Sequence, residues 1–275
     1  MSRMVELTAG DARYRHDRGD TDPAVAAALA AYAAGTGGEH AALVALAGSR
    51  LLVPVIAVLA DELTVSGDET GRAAAADEPG DPAGPHAHGT HESLGTHESF
   101  GPRGLPVHGE KASEVALPSI IGRDGRPALP AFTCVDAVRR WRPDARPVPV
   151  PALGVWQTAV QESSAVVIDI AGPVPLAIEG ARLAAMAAGA QPPAMHEDPD
   201  VWQQVATAAA EVAPGIRIRL SPAPDGLDFT IELAPPAGAT RPVPQHAAGQ
   251  IADAATARLA DRVRSGVAVI VQPPG

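Results

Sequence analysis

Between Asp61 and about Glu110 the chain loses its apolar periodicity. Gly, Pro, Ser, Thr, His, Asp and Glu replace the recurring Ala, Val and Leu found on either side. Such a stretch has too little apolar surface to offset the entropy of being ordered, so no core can be built from it. Whatever folds must be assembled from the residues before and after it. Those residues suffice, because the 275-residue chain is 46% hydrophobic and can bury one large core or two modest ones. Aromatic residues are only 3%, so the cores must be made of small aliphatic side chains packed closely.

The segment before the break starts with "TDPAVAAALAAYAAG". Asp22 can cap a helix, Pro23 suits its first turn and Gly35 its end. A second helix, "EHAALVALAG", runs into "SRLLVPVIAVLA", a continuous apolar run that reads as a buried strand. After the break, "VALPSIIGRDGRPALPAF" reads as a hairpin turning at Asp124 and Gly125. The helix "VDAVRRWR" follows, then the extended edge segment "ARPVPVPA" and the helix "LGVWQTAVQES", with Val155, Ala159 and Trp156 inward. The strands "AVVIDIAG" and "PVPLAIEG" meet at Gly172 and Pro173, and the helix "ARLAAMAAG" stops at Gly189.

A proline-rich joint then leads to a clean pattern. Helix "DPDVWQQVATAAAEVA" precedes two alternating runs that place Ile216, Ile218, Leu220, Leu227, Phe229, Ile231 and Leu233 on one face. A symmetric hairpin would set Arg219 opposite Asp228. A helix with Ile251, Ala255, Leu259 and Val263 in register ends the pattern with the strand "VAVIV". The expected fold class is α+β: a sheet with packed helices in the N-terminal domain, then a small α-β-β-α-β domain. The expected division is a tail over 1–21, an N-terminal domain over 22–190 with an insertion at about 62–110, a joint over 191–199 and a C-terminal domain over 200–275.

A formal charge of −11 repels phosphate backbones and anionic lipid on average, and no basic cluster offsets it, so neither nucleic acid nor membrane is an expected partner. Cys134 is the single cysteine, which fits a reducing compartment. The first twenty residues lack the apolar run of a signal peptide, and the longest apolar run, 51–60, is half a membrane span. The expected location is the cytoplasm.

The order of these elements, and above all "LLVPV", "GRDGRPALPAFT" and "DIAGP", resembles the SseB-type N-terminal domain in its actinobacterial form, over roughly residues 22 to 190. The near-exclusive use of arginine over lysine, with Lys111 alone, and the Ala/Pro bias agree with a GC-rich coding sequence. The family takes its name from enhanced serine sensitivity, and the resemblance carries no catalytic residues onto this chain. It implies that 62–109 is a long insertion where relatives have a short connection.

Two groups of residues invite a chemical reading. "HAHGTHESLGTHESFG" is an imperfect duplication bringing His86, His88, His91 and His97, with Glu92 and Glu98, within a short span. Imidazoles of that kind take zinc, copper or nickel, yet ordering a glycine-rich loop around an ion is costly and no second shell fixes the rings. An inert insertion is the expected reading, and no metal or cofactor is assigned. Cys134 precedes Arg139 and Arg140 at the spacing of sulfurtransferase and phosphatase loops. Those loops aim several backbone amides at an oxyanion and usually need glycine, whereas Val135, Asp136, Ala137 and Val138 suit a helix capped by Thr133 or Cys134. Arg123 and Arg126 read as a solvated hairpin tip, and Asp169 as a side chain bonded to the backbone near the Gly172 turn. Trp141, Trp156 and Trp202 read as core. The expectation is a non-enzymatic protein that binds another protein, with proline-rich edges at 148–150 and 117–118 that accept or refuse strand addition. An enzyme using Cys134, or a metal-handling protein, is the alternative.

Overall fold

The computed structural model describes residues 12–59, 113–122, 125–224 and 226–274. The histidine cluster 86–97 and the turn residues Arg123 and Asp124 lie outside them. Among the described residues, those of 12–56 and 115–274 form one compact unit.

Helix α1 (Pro23–Ala33) begins where the Asp22 carboxylate accepts from the amides of Ala24 and Val25, at 2.8 and 3.4 Å. Gly35, at φ +67°, ends it in the left-handed conformation that glycine adopts without steric cost. Helix α2 (Glu39–Ala47) stops at Gly48, and strand β1 (Arg50–Leu59) follows. The remaining elements of the first half are β2 (Ser113–Ala116), β3 (Ile120–Ile121), β4 (Pro127–Ala131), α3 (Val135–Trp141), β5 (Arg146–Pro151), α4 (Ala152–Gln161), β6 (Ala165–Ile168), β7 (Leu176–Ile178) and α5 (Gly180–Ala187). They make two small sheets, β2-β1-β5 and β3-β4-β6-β7. Leu52 and Phe132 join the sheets by exchanging both backbone hydrogen bonds, at 2.8 and 2.9 Å. The hairpin expected at Gly125 forms between β3 and β4, and β6 runs parallel to β4.

The first core is aliphatic, as the composition requires. Leu43, Leu46, Leu51, Ile168, Ile178 and Trp156 are its buried centre, and Trp156 Nε1 donates to Ala47 O at 3.3 Å. The second core belongs to α6 (Pro199–Val212), β8 (Arg217–Ser221), β9 (Phe229–Ala234), α7 (Gln245–Arg258) and β10 (Val267–Val271). Their sheet order is β10-β9-β8, with β10 parallel to β9. Phe229, Ile231 and Leu233 pack against Val201, Val205 and Ile251. The mixed α+β class and the α-β-β-α-β order stand as expected.

Several details differ from the sequence reading. Arg219 faces Glu232 instead of Asp228, and Leu220 faces Ile231. The shift from 228 to 232 is even, so the inward face is kept while the partner changes. Asp228 is held elsewhere: its Oδ2 accepts the amides of Arg264, Ser265 and Gly266 at 2.9, 2.7 and 3.0 Å. Leu227 therefore precedes the strand and is exposed. Helix α7 ends at Arg258, leaving Leu259 as its cap and Val263 in the following turn. Trp202 is 47% exposed on α6, so it is not core. Leu117 and Pro118 lie between β2 and β3, outside any strand.

The β5 edge refuses strand addition. Leu52 spends its backbone groups on Phe132, so its neighbours Leu51 and Val53 turn theirs toward β5, where they meet Val150 and Val148. Pro147, Pro149 and Pro151 consequently occupy the outward-facing positions. None has an N–H to offer, and a sheet cannot be extended across such an edge.

Candidate functional site

Two places gather polar side chains. The first lies beyond the carboxyl ends of the parallel strands β4 and β6, a position where open α/β sheets commonly hold ligands. Asp169, directly after β6, takes a left-handed backbone at φ +48°, which costs a non-glycine residue some energy unless its side chain is bonded in place. Here it is: Oδ1 accepts from Thr133 N at 2.9 Å and Oδ2 from Thr133 Oγ1 at 2.7 Å. The Asp169 side chain thus bonds across the sheet rather than at the Gly172 turn, which is closed by its backbone carbonyl accepting from Gly172 N at 2.6 Å. Thr133 also accepts at its carbonyl from Arg50 Nη1 at 2.9 Å, and Arg50 pairs with Asp17 at 2.6 Å. Gly19 O accepts from Val135 N at 2.9 Å. A Cβ on Gly19 would lie 2.1 Å from Val135 Cγ2, so only glycine lets residues 17–21 sit this close. The arrangement is a latch fastening the N-terminal segment over the strand ends.

A crevice of about 270 Å³ beside this latch is lined by Thr21, Cys134, Arg140 and Asp169 together with apolar residues. Cys134 is the cap residue of α3 by backbone geometry, but its side chain makes no capping bond, and Thr133 gives its hydroxyl to Asp169. Neither side chain caps the helix as the sequence suggested. Arg140 shares the crevice, while Arg139 pairs with Asp136 on the exposed side at 3.6 Å. Val135 N–H is spent on Gly19 and Val138 N–H on Cys134 O. These amides do not converge beside the thiol as an oxyanion cradle requires. Arg126, at the end of the hairpin turn, reaches Glu179 at 2.6 Å.

The second place was not singled out from the sequence. Glu39 opens α2, Arg182 lies on α5, Asp198 caps α6 and Arg262 follows α7, and all four are at least 94% buried. Arg262 donates Nε to both Glu39 oxygens at 3.1 Å, and Nη2 to Glu39 Oε2 and Asp198 Oδ2 at 2.7 Å each. Arg182 Nη1 donates to Glu39 Oε1. Asp198 uses its other oxygen to accept from Asp200 N at 2.9 Å. Burial alone would lower the Arg262 pKa, but Glu39 and Asp198 outweigh it and raise the value above the ordinary one. Two carboxylates and two guanidiniums balance, the condition under which buried charge is tolerated.

The same junction carries further contacts between the two cores. Tyr32 Oη donates to Asp261 O at 3.1 Å, and Ser265 Oγ donates to Gly35 O at 2.8 Å. Burial is the main reason the Tyr32 pKa is raised, opposed by the nearby Arg264. Asp200 Oδ2 accepts from Ala181 N at 2.8 Å, and a Cβ on Gly180, at φ +60°, would fall 2.0 Å from that oxygen. A cleft of about 390 Å³ opens over this network, with Arg126, Arg182, Arg258, Arg262, Asp200 and Gln203 among its lining.

The signal for the network was in the periodicity. Glu39 sits in register with Ala42, Leu43 and Leu46, and Arg182 with Met186, so each charge lies on the buried stripe of its own helix. A third feature is apolar: a groove of about 330 Å³ between α2, α4 and α5, with half-exposed Val44 and Leu153 on its walls and buried Met186 beneath. Among the described residues no three His, Cys, Asp or Glu side chains are grouped to hold a metal ion, and no helix is long and apolar enough to cross a membrane.

Among families, the model of the SseB protein N-terminal domain matches residues 25–185, more than half of the chain. Neither the curated proteins nor the solved structures compared with the chain give a match. The matched span runs from the first helix to the helix that bears Arg182, and the chain belongs to the SseB family through this N-terminal domain.

Proposed function

We propose that this SseB-family protein acts without catalysis, as a regulatory module of the cytoplasm that binds another protein through the groove between α2, α4 and α5. The observation that carries the reading is the apolar wall of that groove. Val44 is 38% and Leu153 40% exposed beside a nearly fully buried Met186. Exposed aliphatic side chains around a preformed depression are what a partner's apolar side chain can fill. The proline-blocked β5 edge supports entry by side-chain packing rather than by strand addition there. The single cysteine and acidic charge agree with the cytoplasm, and the arginine-rich, lysine-poor composition with an actinobacterial source.

The test is affinity capture from the source organism's lysate with the intact chain and with a V44D/L153D variant, bound proteins being identified by mass spectrometry. Matching thermal melts establish that the variant is folded. The expected result is a partner held by the intact chain and lost by the variant. A partner held equally by both, or none held by either, overturns the reading.

A further inference from the structure

Strand β10 is a sheet edge without the protection that other edges of this protein carry. It ends the β10-β9-β8 sheet, and among the described residues nothing pairs with its outer side. Gly266 O accepts from Asp228 N at 2.9 Å, and Gln272 N donates to Leu233 O at 2.8 Å. At the strand period of two, the even-numbered residues therefore turn their backbone toward β9, and Val267, Val269 and Val271 hold theirs to the open side. Edges of this kind are normally blunted by charge, proline or shortness. β5 has its prolines, and β8 at the opposite end of the same sheet has exposed Arg217 and Arg219. β10 is five residues long and contains neither charge nor proline. Its side chains also lack a neighbour beyond the edge: Phe229, Ile231 and Leu233 of β9 are fully buried, whereas no residue of β10 is. Val269 and Val271 border an open depression of about 530 Å³ beside the first turns of α7, with Val243 and Ala248 on its wall. Ile270, on the other face of the sheet, is 51% exposed.

We propose that β10 pairs with β10 of a second copy of this chain, antiparallel about a two-fold axis at Val269, so that the two three-stranded sheets become one. The sequence of the strand, VAVIV, is what selects a second copy as the occupant. With Val269 on the axis, Val267 of one copy lies opposite Val271 of the other, and each outward pair exchanges both backbone bonds. Valine meets valine at every such pair on the helix-bearing face, where the depressions of the two copies adjoin. On the other face Ile270 lies opposite Ala268 and diagonal to the second Ile270, so a large side chain meets a small one and the two isoleucines cover each other. No like charges are opposed along the strand, although the chain carries a formal charge of −11. The pairing is isologous and therefore closed: it uses up both β10 edges, and the arginines of β8 oppose growth from the far edge. The interface is separate from the apolar groove.

The test is sedimentation velocity of the full chain at rising concentration, where a reversible equilibrium between monomer and dimer is the expected result. Val269→Pro removes the N–H on the axis and leaves the bonds to β9 in place. Ile270→Glu sets like charges diagonal to each other across the axis, and because Ile270 is exposed the fold survives even where Val269→Pro fails to fold. Each variant should raise the dissociation constant by roughly tenfold or more, while V44D/L153D, altered in the apolar groove, should dimerise as the parent does. A parent that stays monomeric overturns the proposal and leaves the edge to a strand of another protein. A dimer untouched by Ile270→Glu, or one lost in V44D/L153D and kept in the β10 variants, overturns it as well.

Discussion

At the scale of single residues, the polar groups that hold this protein together find partners far along the chain. Asp169 is bonded to Thr133, 36 residues away, and its left-handed backbone is held by that pair. Asp169→Asn keeps a side chain tolerant of the left-handed region but exchanges an acceptor for a donor. It is expected to cost about 1–3 kcal/mol in urea unfolding, the penalty for leaving a buried polar group unmatched. Asp169→Ala should cost more, having neither the bonds nor that tolerance. Tyr32 gives a pH dependence. Its phenol is buried and its pKa lies above the ordinary 10.0, so above pH 10 the unfolded chain releases a proton that the folded chain keeps. Stability contributed by this group is whole below pH 10 and falls as pH rises through that value toward the folded pKa. Tyr32→Phe should show a shallower alkaline decline than the parent when both are followed by denaturant midpoint from pH 8 to 11, and an equal decline would remove Tyr32 from the explanation.

At the scale of elements, much was legible because the signals are local. Asp22, Pro23 and Gly35 mark α1 within their own few residues, and the alternation from Phe229 to Leu233 fixes which face of β9 is buried. The register of β8 against β9 was not legible. Arg219 can meet either Asp228 or Glu232 with the same face inward, and the choice is settled by three backbone amides, over 264–266, that claim Asp228. Asp169 and Thr133 were likewise beyond local reasoning, because their bond exists only once β4 and β6 lie side by side. The β5 edge belongs to this scale too. Replacing Pro147, Pro149 and Pro151 together with Thr supplies outward N–H groups and opens the edge to pairing. Light scattering at rising concentration should show assemblies of the variant larger than any the parent forms.

At the scale of the whole molecule, buried Glu39 of the family domain is bonded to Arg262 of the C-terminal core, 223 residues away, while Arg182, 143 residues from Glu39 inside the family domain, and Asp198 complete the network. No sequence window spans such distances, although a charge in register with an apolar stripe marks two of the four. The same helices form the groove: α2 carries Glu39 and Val44, and α5 carries Arg182 and Met186. Fastening one end of each helix to the second core holds the groove walls in place before a partner arrives, which lowers the cost of binding. Arg262→Met leaves buried Asp198 without a cation and Glu39 with Arg182 alone, and is expected to cost about 3–5 kcal/mol, as for other broken buried pairs. With this network intact, the two cores should unfold as one cooperative body. Scanning calorimetry of the parent and of Arg262→Met tests it directly. A single transition is expected for the parent and two separated transitions for the variant. Two transitions already present in the parent, or one unshifted transition in both, would contradict it.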